Sequence, residues 1–261
     1  MNGSSLAEAL ATPLQELRAR QLAPVDVAVL DSGVDATHQM LSGRILEAHE
    51  VVMVEGQPQW GDVPIGVNND VFGHGTAVAG IISSLAPNAR VIDVRVLGQD
   101  NQGSAACLIA ALEHAVQRRW PVVNMSLAMS RRFADAARPL CETAWRQGQV
   151  VVSAKRNSAT ADLGLPAEFA TSISVDAASF PDPLSFRYQP EEVIEFVGAG
   201  ENVTVAWRGG GYTTMSGTSF ATPALSAVCA LLLGAFPDLR PFEVRSVLRR
   251  KAIETNQAAR S

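Results

Sequence analysis

Cysteine is scarce: only Cys107, Cys141 and Cys229 occur among 261 residues, and they lie far apart. An odd number at such spacing argues against a disulfide framework and against a zinc ribbon. Buried free thiols in a reducing compartment are the expectation, and with them a cytoplasmic location. Clustered positive charge is also missing. The net charge is −5 and the basic residues are scattered, so no nucleic-acid-binding face is indicated. The opening MNGSSLAEALATPLQELRAR has no cationic start followed by an apolar block, so it is not a secretory signal. It reads as a short amphipathic helix with Leu10, Leu14 and Leu17 on one side. Long hydrophobic runs are few. The most apolar, FATPALSAVCALLLGAF at 220–236, is 17 residues and carries Thr222, Pro223 and Ser226. That is the lower limit for a membrane span, and a helix buried on all sides of a globular core fits better. No internal repeat, low-complexity stretch or linker interrupts the chain.

What is present is enough apolar material for one large core, with 47% hydrophobic and 18% charged residues. Apolar runs alternate with helical patterns. VDVAVL (25–30), RVIDVRVL (90–97), PVVNMSL (121–127), VVVSA (150–154), TSISVDA (171–177) and EVIEFVGAG (192–200) read as strands. HGTAVAGIISSL (74–85), SAACLIAALEHAVQRR (104–119) and ADAARPLCETAWRQG (134–148) read as helices. This alternation predicts an α/β fold of three α/β/α layers with a mainly parallel central sheet. A helical extension at 1–23 precedes one domain at 24–261.

In such sheets, functional residues gather at the carboxyl ends of strands. Asp31 follows the first strand, His74 opens a helix, and Ser219 opens the apolar helix. Each alone has an ordinary explanation as a cap, turn or structural residue. Together, a hydroxyl, an imidazole and a carboxylate are what nucleophilic hydrolysis requires. They sit in the words DSGVD (31–35), GHGTAVAG (73–80) and SGTSFATP (216–223). In these words the chain resembles the subtilisin-like serine proteases (subtilases, peptidase family S8), from about residue 24 to about 250.

The resemblance implies a serine endopeptidase acting through an acyl-enzyme, with no cofactor; a tight metal site is not expected, because this chain lacks the calcium-binding loop that family members often carry. Ser219 would be the nucleophile, His74 the general base and acid, and Asp31 the orienting anion. Asn157, reached by aligning through VVVSA, falls where the family's Asn donates to the oxyanion. Gly217 would let the backbone approach closely before the helix, and Pro223 would sit harmlessly in its first turn. NMSLA (124–128) resembles the family's Asn-x-Ser-Leu-Gly strand. The backbone of Ser126, Leu127 and Ala128 would grip an extended peptide or protein substrate, with Gln102, Gly103 and Ser104 as the facing edge. Ala154, Lys155 and Arg156 would line the pocket for the residue before the scissile bond.

Several positions depart from the family pattern. Lys155 and Arg156 replace an alanine and a glycine, and Ala128 stands where glycine is usual. At least one of the two cations is expected to narrow or charge the pocket, favouring a small or acidic residue there. The helix from His74 runs through without the calcium-binding insertion, and Ala77 replaces a second histidine. With no pro-domain expected before Asp31, an intracellular enzyme maturing one dedicated peptide or protein precursor is the suggested role. Two alternatives use the same fold: a non-catalytic binding protein whose pocket is filled by Arg156, and a peptide macrocyclase. An α/β-hydrolase esterase is disfavoured, because the G-T-S-F-A word and the Asp–His–Ser order differ from that fold's elbow and order.

Overall fold

The computed structural model describes residues 3–158 and 161–258. Its strands are β1 (Val25–Asp31), β2 (Ile45–Val54), β3 (Gln57–Asp62), β4 (Ala89–Arg95), β5 (Val122–Met125), β6 (Val150–Ala154), β7 (Ser172–Ala178), β8 (Phe186–Tyr188) and β9 (Phe196–Ala199), with a separate hairpin of β10 (Val203–Trp207) and β11 (Gly211–Met215). Its helices are α1 (Gly3–Ala11), α2 (Leu14–Ala19), α3 (His74–Leu85), α4 (Ala105–Arg118), α5 (Ala134–Gln147), α6 (Thr218–Ala235) and α7 (Pro241–Ala258).

Nine strands form one sheet in the order β3-β2-β4-β1-β5-β6-β7-β9-β8. Pairing from β2 to β9 is parallel, and the two outer strands, β3 and β8, are antiparallel. Alternate residues of β1 serve opposite faces, as the pleat requires. Val27 and Val29 join the core beneath α3 and α6, with Val78, Ile82, Val228 and Leu231. Ala28 and Leu30 join the core beneath α4 and α5, with Leu108, Leu112, Met125 and Cys141. This is the expected three-layer arrangement.

Helix α6 has the length and composition of a membrane span, but 89% of it is buried inside the fold. It is the central core helix. Pro223 lies at its sixth position rather than in the first turn. The missing N–H therefore leaves the Ser219 carbonyl without its helical donor.

Other expectations need adjustment. The N-terminal helix is two helices, because Pro13 adopts extended backbone (φ −62, ψ 146) between them. Ala9 and Leu17 are nonetheless fully buried on the core. The strand expected at 192–200 shrinks to β9, the preceding residues forming a turn. Two hairpins escape the sequence pattern. β2–β3 turns at Glu55 (φ 51) and Gly56 (φ 79), a two-residue turn with both residues left-handed. β10–β11 turns through Arg208, Gly209 and Gly210.

Candidate active site

The chain extends the sheet from β1 toward β2 and β4, then crosses to β5 on the other side. The crevice outside the strand ends at this reversal is where α/β sheets hold ligands. Asp31 closes β1, His74 opens α3, and Ser219 is the second residue of α6. Asn157 follows β6 by three residues.

Asp31 is wholly buried, and its Oδ1 accepts from the His74 ring at Nδ1 (2.7 Å) and from the Ser32 N–H (2.7 Å). This approach needs Gly75. A Cβ there would lie 2.1 Å from the Gly33 carbonyl oxygen and 3.2 Å from the Asp31 Cβ. Burial disfavours the charged imidazole, but the charge and hydrogen bond of Asp31, with the charge of Asp70, overcome it. The His74 pKa is therefore raised above the ordinary 6.5. A protonated ring cannot take up the nucleophile's proton. The acid limb of a pH–kcat/KM profile is thus expected to have its midpoint above 6.5, activity falling as pH drops through it. A midpoint at or below that value would contradict the electrostatic picture.

Behind His74 lies a carboxylate to which the motifs assign no role. Asp70 Oδ1 accepts from Ser32 Oγ (2.8 Å) and from the N–H groups of Phe72 (2.9 Å) and Gly73 (2.7 Å). Its Oδ2 accepts from Thr76 N–H (3.0 Å) and Thr76 Oγ1 (2.5 Å). Ser32 Oγ in turn accepts from the Gly75 N–H at 3.0 Å. This cage ties the Asp31 turn to the start of α3. The β10–β11 hairpin braces it from outside: Arg208 donates to the Asp70 carbonyl (3.2 Å), and Trp207 packs over Gly73 so closely that a Cβ there would lie 2.3 Å from the indole. Asp70, four residues before His74 in NDVFGH, was the available signal.

Ser219 Oγ donates to the Ser126 carbonyl at 2.9 Å rather than to His74. Asn157 Oδ1 accepts from the Thr218 N–H (3.1 Å), so its amide N–H₂ is the end left to donate. Gly217 is needed for its φ of 151°, not for close approach: a Cβ there would meet Asn157 only at ordinary contact distance.

His74, Ser219 and Asn157 share a cleft of about 270 Å³ with Gln102, Gly103, Ser126, Leu127 and Ala128. Ala154, Lys155 and Arg156 line it too. Ser104, at the end of the same edge, caps α4, its hydroxyl accepting from the Cys107 N–H. A larger hollow of about 690 Å³, beside α1 and the turn into α7, contains none of these residues. Among the described residues no group of three or more His, Cys, Asp or Glu could hold a metal ion.

Comparison with known proteins agrees with this geometry. Over 237 residues the chain is 30% identical to subtilisin BL of Lederbergia lenta, covering 87% of this chain and 83% of that protein. It is 29% identical over 237 residues to a thermophilic serine proteinase of Bacillus sp. (strain AK1). That match covers 87% of this chain but only 56% of the relative's length. Among solved structures, sphericase superposes with a TM-score of 0.71 at 24% identity, covering 90% of this chain and 87% of that one, which supports the fold. The family model described as the subtilase family matches residues 24–261, and the chain belongs to that family.

Proposed function

We propose that the protein is a serine endopeptidase, carried by one observation: the buried Asp31–His74 pair opens on the same cleft as Ser219 and Asn157. Ser219 Oγ attacks the scissile carbonyl and its proton passes to His74 Nε2, while Asp31 holds the Nδ1 proton and favours the charged ring. The oxyanion lies between the Asn157 amide and the Ser219 N–H, which has no intrahelical partner at the second position of α6. His74 then protonates the departing amine, and water releases the acyl group by the same steps.

The resting hydroxyl sits on the Ser126 carbonyl, on the strand segment that would pair with a substrate. A substrate N–H donating to that carbonyl competes with Ser219 and frees its hydroxyl to turn toward His74. The test of the reading is a fluorophosphonate probe, which loses fluoride as Ser Oγ bonds to phosphorus. Wild type should be labelled; a well-folded protein that is not labelled supports the binding-protein alternative.

Asn157→Ala should lower kcat by about two to three orders of magnitude with a much smaller change in KM, since the donor acts on charge that develops in the transition state. A tenfold or smaller loss would remove Asn157 from the oxyanion site.

The altered residues 128, 155 and 156 favour a dedicated peptide or protein precursor, bound as an extended strand, over a mixture of proteins. Mapping cut sites in candidate precursors by mass spectrometry tests this, and cyclic products would reveal resolution of the acyl-enzyme by an amine. The three free thiols are all buried, and burial pushes those of Cys141 and Cys229 up to about 12. Such thiols suit a reducing cytoplasm.

A further inference from the structure

We propose that Arg156 is a plug closing the deep end of the cleft, and that the enzyme cuts after small residues: glycine, alanine or serine. This rests on the endopeptidase reading above and names its substrate class.

The cleft beside Ser219 has two walls, the chain leaving β5 at 126–128 and the chain leaving β6 at 154–157. Arg156 is rooted in the second wall, where its N–H donates to the Leu163 carbonyl at 2.8 Å. Its side chain crosses toward the first wall, where the guanidinium donates to the carbonyl of Met129, the buried residue next after it, at 3.2 Å. One side chain thus spans the gap in which a substrate side chain would lie. Asp162 Oδ2, 3.6 Å from the same guanidinium, balances its charge.

The space around the crossing is also closed. A Cβ placed on Gly164 would lie 2.6 Å from the Ala128 methyl and 3.6 Å from the Arg156 Cβ. Three chain segments meet there with no room for one further methyl group. Ala128, where the family resemblance expects glycine, contributes one of the three.

The other cation takes no part. Lys155 Nζ is 2.5 Å from Asp176 Oδ2, and the Lys155 N–H and C=O are engaged by Val175 O (2.9 Å) and Thr218 Oγ1 (2.6 Å). An acidic substrate residue is disfavoured for a related reason. Arg156 already faces Asp162 and Met129 O, which leaves its buried Nε without a partner among the described residues. A carboxylate would have to break those contacts before meeting the charge. Volume, not charge, is therefore what the pocket reads.

The test uses quenched peptides differing only at the residue before the scissile bond, with active sites counted by the fluorophosphonate probe. Wild type should cleave after Gly, Ala or Ser with kcat/KM at least about tenfold above Leu, Phe, Asp or Glu. Arg156→Gly should raise kcat/KM for Leu and Phe by about tenfold or more. Should that variant fail to fold by circular dichroism, Ala128→Gly opens the facing wall and should give a gain of the same sign. Wild type preferring Leu, Phe, Asp or Glu, or a folded variant with an unchanged profile, overturns the proposal and leaves the endopeptidase reading standing. Labelled wild type that cuts none of the peptides also overturns it. Wild type that is not labelled at all overturns both.

Discussion

Ser219→Ala is expected to lower kcat/KM by about four to six orders of magnitude and to abolish fluorophosphonate labelling. The size of this loss is one measured in a subtilisin, a family relative, rather than deduced from the geometry. The direction does follow from it. The half-buried hydroxyl makes one hydrogen bond, to the Ser126 carbonyl, and supports no packing that alanine cannot. Unfolding free energy should change by no more than about 1 kcal/mol, the net worth of one hydrogen bond. The same substitution should remove hydrolysis of every peptide alike, since it deletes the attacking atom rather than a recognition contact. Residual turnover within about a hundredfold of wild type would show that Ser219 is not the nucleophile.

The second large effect is expected away from the reacting atoms. Asp70→Asn keeps the size of the side chain but replaces an acceptor oxygen with an N–H₂ group. Two of the five donors converging on Asp70 then lose their acceptor, or three, depending on which way the amide turns. Each buried donor left unsatisfied costs about 1–3 kcal/mol, so unfolding should be easier by about 2 kcal/mol or more. Denaturant titration reads this directly. The substitution also removes one of the charges that raise the His74 pKa. The acid limb of the pH–rate profile should therefore move to lower pH in Asp70→Asn, while kcat falls because the loop bearing His74 is less firmly held. A purely structural carboxylate would alter stability without moving that limb. The shift in the limb is thus the measurement that separates a positioning role from a scaffolding one.

The large elements were legible because their patterns are local. A six-residue apolar run ending in DSG can hardly be other than a buried strand meeting a turn, and β1 ends at Asp31 as read. The apolar helix is evident from composition alone, although Pro223 sits one turn deeper than expected. The hairpins were harder. β2 carries Glu47, His49 and Glu50 among its apolar residues, each with an ionic partner (Arg118, Asp62 and Arg95), and it pairs with the edge strand β3. Such a strand lacks the continuous apolar signature of β1 or β6. The cap of α4 is likewise invisible in sequence, since it depends on the direction of the Ser104 hydroxyl.

By itself the sequence determined the class of fold, the family, and the residue types of the triad, since each is written in short contiguous words. Tertiary structure decided what those words leave open. Asp70 becomes part of the site because Ser32, 38 residues away, joins four donors from residues 72–76 on its carboxylate, a meeting that no single stretch records. The adjacent cations Lys155 and Arg156 acquire opposite fates because one finds Asp176 on β7 and the other reaches across the cleft to Met129. Neighbours in sequence share composition, but side-chain direction and distant partners determine whether a charge is neutralised at the edge of a pocket or fills it.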